Sequence, residues 1–292
     1  MTASLTESVV APGTGSAPNP GESRHRRVTA GNVATGIGVA LVATALLAPS
    51  VLAPRDPSAV DLDHTLAPPS LHNWFGTDEI GRDLYTRVVH GARDSLAIGA
   101  GAAAVAFLLA LVLASAAALA PGPVARATDR VIDVLFAFPT LLLALLTVSV
   151  LGPSTSTLVV AVGVGCAPGY ARMIRAQMLR ARGSGYVEAA TALGHSRSAV
   201  VRRHIVPNSL RPLVAVFALS IGQCIVWASS LAFLGLGVAP PSPEWGALLD
   251  AGRSYLTRAP WLVVIPGLFI VALALVTTAV GRSLQHRLER GE

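Results

Sequence analysis

The chain has 292 residues, 52% hydrophobic and only 13% charged, with mean hydropathy +0.60 and a formal charge of +6. Soluble domains carry about 25% charged residues, so an ordinary soluble enzyme is excluded and an all-α integral membrane protein is expected. All 22 basic residues are Arg, and they do not gather on one basic face, which argues against nucleic acid as a partner. Lysine is absent, so a GxxxxGK[ST] phosphate loop and lysine Schiff-base chemistry are both ruled out. If transport here consumes ATP, another chain must bind it. A lysine-free chain rich in Arg and Ala also points to a GC-rich bacterial genome.

Residues 1–29 read as a disordered cytoplasmic tail, rich in Ser, Thr, Gly and Pro. The basic run Arg24, His25, Arg26, Arg27 precedes an apolar stretch, Ala30–Ala53. That stretch is longer than a signal-peptide core, so it is read as an uncleaved first transmembrane helix. Residues 54–95 form an extracytoplasmic loop. Within it, Phe75–Leu96 alternates charge and places Leu84, Val88 and Val89 at helical spacing. This predicts a short amphipathic helix at the interface, with Asp83 and Arg87 paired at i, i+4.

A core of five further transmembrane helices follows as residues 96–283, with a cytoplasmic tail at 284–292. A crossing needs about 20 apolar residues. Leu96–Ala120, Val131–Leu151, Leu213–Ala239 and Trp261–Val280 qualify. Ser156–Met173 is marginal, because Pro168 and Gly169 interrupt it. Six spans in all are predicted. Alternation then puts Pro121–Arg130, Ile174–Pro212 and the region from Gly281 inside, with both termini cytoplasmic. Of the 22 arginines only Arg55, Arg82, Arg87, Arg93, Arg253 and Arg258 fall outside, as positive-inside orientation requires.

Between the fourth and fifth spans lies a polar stretch, EAATALGHSRSAVVRRHIVPN, from Glu188 to Asn208. Ala189, Ala190 and Ala192 favour helix, Gly194 suits the left-handed position that ends one, and Ser196 caps another. In that second helix Val201 and Ile205 share a face, and Pro207 is expected to stop it. Two short helices joined by a tight turn result. Their alanines permit close approach by a partner, and Val201 and Ile205 offer apolar knobs beside charge.

In the fifth span Gln223, Trp227, Ser229 and Ser230 are candidates for a polar translocation path or gate. Ser229, Ser230, Gly235 and Gly237, with Pro240, Pro241 and Pro243, suggest a close-packed outer gate. Ionisable residues are nearly missing from the spans; Asp133 sits near a cytoplasmic end. This scarcity argues against an ion-coupled transporter and against a membrane-embedded enzyme. Cys166 and Cys224 read as buried small hydrophobes rather than a disulfide or metal pair. The seven histidines show no metal-ligand spacing, so no metal site is expected.

The order Glu-Ala-Ala, three residues, Gly, then Ile-x-Pro resembles the EAA loop of binding-protein-dependent ABC importer permeases. The stretches LLAPSVLAPRDP, HNWFGTDEIGRDLYTRVVHGARDSL, Tyr170–Arg175 and FLGLGVAPPSPEWGALL resemble the second (C-type) permease subunit of the dipeptide, oligopeptide and nickel branch. The likeness runs from about Leu46 to Pro266. It departs after Gly281, where Arg282, Ser283 and Leu284 replace the acidic residues common in the family.

The resemblance implies the type I permease fold, a coupling loop at 186–208 and ATPase contact through Glu188, Ala189, Ala190, Gly194, Ile205 and Pro207. It further implies a homologous second permease and two cytoplasmic ATPase subunits, or one fused ATPase, that bind ATP and Mg. An extracytoplasmic peptide-binding protein is the other implied partner, besides membrane lipid. No catalytic residue and no cofactor in this chain are expected. The implied cargo is a di- or oligopeptide, with nickel or another small solute as the alternative. A secondary transporter would instead need intramembrane charges and inverted repeats, and neither is evident.

Overall fold

The computed structural model describes residues 36–210 and 213–290, which are mostly helical, with one isolated bridge between Thr77 and Asp83 outside the helices. The 1–29 tail lies outside the described residues, as does the start of the first expected span. The described part of that span is α1 (Gly36–Leu47) followed by α2 (Pro49–Leu52). Ala48 breaks the pair because a residue before proline is pushed out of helical geometry.

The second span is longer than its sequence pattern. Helix α3 (Leu84–Leu119) has 36 residues, or about 54 Å at 1.5 Å per residue, well beyond a hydrocarbon core of about 30 Å. No separate amphipathic helix forms at 75–96. Residues 75–83 fold instead as a tight turn with Gly76 and Gly81 at positive φ. Asp83 caps α3: its Oδ2 accepts from the Thr86 N–H at 3.0 Å and from the Thr86 hydroxyl at 2.6 Å.

The expected third span, Val131–Leu151, is not one helix. It is divided between α4 (Gly122–Ala137) and α5 (Thr140–Leu151), which meet at 94°. Pro139 supplies no N–H, and Phe138 before it is extended (φ −83°, ψ 136°). The residues read as an inner loop, 121–130, are consequently mostly helix. The marginal fourth span is a continuous α6 (Thr155–Arg182) in spite of Pro168. Its most apolar window is 61% buried, so α6 is the central helix.

Helix α7 (Gly185–Ala192) and the pieces α8 (Arg197–Val200) and α9 (Val206–Leu210) follow. Then come α10 (Leu213–Leu231), α11 (Trp245–Arg253) and α12 (Trp261–Arg290). By length and composition four helices can cross a membrane, or five with the bent α4–α5 pair. The expected six spans are therefore matched by four or five among the described residues, with α1 an additional shorter apolar helix.

Small residues set the packing. Ala102, Ala106, Ala110, Ala114 and Ala118 recur every fourth residue of α3 and are 0–3% exposed. With only a methyl group at each position, α6 can approach closely. Gly163 of α6 completes the fit, since a Cβ there would collide with Val105. Ala110→Phe should overpack this seam at a cost of about 1–3 kcal/mol, seen as a lower melting temperature of the purified protein.

Candidate functional site

The expected coupling segment folds as an elbow. Helix α7 ends at Ala192 with Leu193 as its cap, and Gly194 follows at φ +82°. The Gly194 N–H donates to the Thr191 carbonyl at 3.0 Å and the His195 N–H to the Ala190 carbonyl at 3.2 Å. This pair of bonds is a Schellman ending, which needs a residue tolerant of positive φ. Ser196 then caps α8 by accepting from the Ala199 N–H at 3.3 Å. His195 and His204 stack across the turn at 6.0 Å between ring centroids.

Pro207 does not end the second helix. Residues Val201–Ile205 form a π turn in which the Val206 N–H reaches back to the Val201 carbonyl. The wider turn accommodates a proline whose ring would clash with an α-helical neighbour, and α9 continues through it.

Burial divides the expected coupling residues. Glu188, Ala189, Gly194 and Pro207 are exposed, whereas Ala190 and Ile205 are 5% and 3% exposed. Val187, Ala190, Val200 and Ile205 join the hydrophobic core built around α3, α6 and α10. Ile205 is thus not a knob offered to a partner; it anchors the elbow in its own chain. The apolar residue at the tip is Leu193, 79% exposed, with Tyr186 at 44% nearby.

Two arginines, Arg182 at the end of α6 and Arg197 in the elbow, bind the end of α3, and the sequence carries no signal for this. Arg182 donates to the Ala118 carbonyl at 3.1 Å and Arg197 to the Leu119 carbonyl at 2.5 Å. They satisfy carbonyls that a helix end leaves without partners, and their charge complements its dipole. Elsewhere α4 is held to α6 by Asp129–Arg175 at 2.6 Å and Asp133–Arg172 at 3.3 Å. Arg172 also lies over the Phe136 ring at 4.4 Å.

A cavity of about 410 Å³ opens between the α4–α5 bend, α6 and α10. Phe138, Pro139 and Thr140 form one wall, so the proline break that divides the third span also shapes the cavity. Of the four path or gate candidates, Gln223 and Trp227 line it and Ser229 and Ser230 do not. Ser230 bonds back to the Val226 carbonyl at 2.8 Å, and Ser229 is buried at the approach of Gly246. Close packing around Ser229 agrees with the small-residue reading of that region, but a polar path there does not. Tyr170, beyond the sequence-derived candidates, reaches across from α6 and donates to Gln223 Oε1 at 3.0 Å.

At the end of the bundle that carries the long 54–83 loop, an ion cluster is buried. Asp78 Oδ2 accepts from Arg82 Nε and Arg87 Nη1, both at 2.6 Å. Arg87 is therefore paired with Asp78 rather than Asp83, whose carboxylate is turned toward Thr86 by its capping role. Arg87 also donates to the Pro241 and Ser242 carbonyls at 3.3 and 3.1 Å, joining two loops.

Next to it Glu244, 2% exposed, caps α11 through the Gly246 and Ala247 N–H groups at 2.8 and 2.9 Å. Burial pushes its carboxyl above the ordinary glutamate range, against the pull of those N–H bonds and of Ser95. A carboxyl raised on folding stabilises fully below the ordinary glutamate pKa of about 4.3, and loses that contribution as pH rises through the raised value. Melting temperature should fall across that window, and Glu244→Gln should flatten the slope. Glu244→Ala should cost about 1 kcal/mol through loss of the cap.

These features match a known class. The family model described as "Binding-protein-dependent transport system inner membrane component" matches residues 98–290, and the chain belongs to that family. It is a permease subunit of an ABC importer, a multi-pass inner-membrane transport component rather than a catalytic subunit, and such a permease works with ATPase and binding-protein partners.

Among its relatives, the Glutathione transport system permease protein GsiD of Shigella dysenteriae serotype 1 (strain Sd197) is 39% identical over 267 residues, covering 91% of this chain and 88% of that protein. The protein of the same description from Escherichia coli O1:K1 / APEC is 38% identical with the same coverage. Among solved structures, an amino acid ABC transporter crystallised with histidines is similar in fold, with TM-score 0.58 and 19% identity over 70% of this chain and 95% of that one. The inward-facing MetNI methionine ABC transporter gives TM-score 0.53 and 18% identity over 68% and 96%.

Proposed function

We propose that this permease forms half of a path for short peptides delivered by an extracytoplasmic peptide-binding protein, and that the 186–208 elbow takes up the motion of the ATPases. The other half comes from a homologous second permease. Two ATPase subunits, or one fused ATPase, bind ATP and Mg at the cytoplasmic face. The orientation places both termini and the elbow inside, in keeping with the arginine distribution. Peptide cargo is supported by the likeness to glutathione permeases, glutathione being a tripeptide. Nickel or another small solute is the alternative.

One observation carries the coupling role. The elbow's tip, from Thr191 to Ser198, is exposed, while its inner residues are buried in the permease core and Arg197 grips the end of α3. A push on the tip is thereby transmitted to α3 and α6 rather than absorbed in a loose loop. Switching requires that the ATPase contact the two access states differently. Glu188, Ala189, Gly194 and Pro207 supply the contact surface; Ala190 and Ile205 supply the anchor.

The test is a cross-link. Leu193→Cys, in the assembled transporter, should form a disulfide with a cysteine placed in the ATPase groove, and its yield should change with ATP. A tip cysteine that labels freely and never cross-links would refute the coupling role.

A further inference from the structure

We infer that the cavity between α6 and α10 recognises the main-chain carbonyl of a passing peptide through the Gln223 amide, which Tyr170 holds ready. This rests on the peptide-importer reading above.

The cavity, about 410 Å³, falls in the range of roughly 300–1,000 Å³ typical of small-molecule sites. Among the described residues no Asp, Glu, Arg or His lines it. Charges on peptide termini or side chains therefore meet no ion-pair partner there. Phe136, Phe138, Tyr170 and Trp227, with Leu135 and Met173, present apolar surfaces that tolerate varied side chains.

Against these walls stands one carboxamide. An amide side chain offers an acceptor oxygen and two N–H donors. The Gln223 oxygen is already engaged, since the Tyr170 hydroxyl donates to Oε1 at 3.0 Å. The tyrosine is 9% exposed and its ring packs against Phe107, with centroids 4.7 Å apart, which limits where the hydroxyl can go. With one of the two lone pairs on Oε1 taken, the amide's N–H groups are its main offer to cargo, because Gln223 itself is exposed on the cavity wall. Their complement is an acceptor. Every peptide residue carries a main-chain carbonyl, whatever its side chain. One neutral hydrogen bond orients such a group while remaining weak enough to release it, as conduction through a pathway demands.

A simple α6–α10 tie would use the same Tyr170–Gln223 bond, so the readout must separate the two. The complete transporter is reconstituted in proteoliposomes with its binding protein and supplied with trialanine or its depsipeptide, in which an ester replaces one of the two amides. An ester carbonyl is the weaker acceptor. Uptake is normalised to assembled complex, and the amide-to-ester ratio is compared between variants, which cancels any preference of the binding protein.

Gln223→Leu is expected to lower trialanine uptake about 3- to 10-fold, the scale of one hydrogen bond, and to reduce the amide-to-ester ratio. Tyr170→Phe should lower the ratio less, because the amide keeps its donors but loses its orientation. A Gln223→Leu variant with an unchanged ratio, whether uptake falls or not, would overturn the inference and leave the peptide-importer reading standing. Failure of the unmodified transporter to import trialanine would overturn both.

Discussion

Gly194→Val is expected to leave the transporter assembled while cargo-stimulated ATP hydrolysis falls about tenfold, within the 5- to 150-fold span of typical coupling energies. The reason is conformational rather than steric. Gly194 sits at φ +82°, and a Cβ built there meets no atom of this chain within 4 Å. A side chain fits, but the backbone does not tolerate it: left-handed geometry costs a non-glycine residue about 1–2 kcal/mol, and a β-branched one resists it most. The turn relaxes by giving up the bonds from Gly194 to Thr191 and from His195 to Ala190, and the second limb of the elbow then leaves at another angle. Asn, which visits this geometry more readily, should give an intermediate phenotype. Stimulated hydrolysis in Gly194→Val equal to that of the parent would remove the turn from the coupling mechanism.

Asp78→Ala should be among the most destabilising single substitutions in the chain, at about 3–5 kcal/mol. The carboxylate accepts from the Ile80 and Arg82 N–H groups at 3.1 and 2.9 Å, besides the two guanidiniums. Its removal leaves Arg87 without a carboxylate partner and Arg82 with Glu79 at 3.2 Å, although their side chains are only 4% and 7% exposed. Stranding charge is what makes the loss large, so the double variant Asp78→Ala with Arg87→Met should recover part of it. Thermal unfolding of the purified complex reads the effect. Limited proteolysis should also find the 54–83 loop newly accessible, because Arg87 no longer clamps it against Pro241 and Ser242. A melting profile matching the parent would show that water or a rearranged loop satisfies the arginines.

Local signals were legible wherever the cause lies within a few residues. Gly194 and Ser196 specify a helix, a turn and a second helix without outside help, and the chain folds so. Pro139 was equally legible as a break, but the apolar run Val131–Leu151 concealed it. Hydropathy reports where a segment prefers to reside, and proline reports whether it can be straight. Pro207 misled in the opposite direction: local rules predict a stop, yet a π turn at Val201–Ile205 absorbs it, and the buried Ile205 anchors that turn.

By itself the sequence determined the membrane class, the absence of a phosphate loop and the helix–turn–helix form of the elbow. These follow from composition and from bonds between near neighbours. The tertiary structure alone decided that Arg87 pairs with Asp78 rather than Asp83, and that Arg182 and Arg197 close the end of α3. It alone separated Gln223 and Trp227, on a cavity, from Ser229 and Ser230, in packing. Tyr170 and Gln223 lie 53 residues apart, and Arg87 and Ser242 lie 155 apart. Over such separations the choice of partner depends on how whole helices pack, and no short-range preference of the backbone records it.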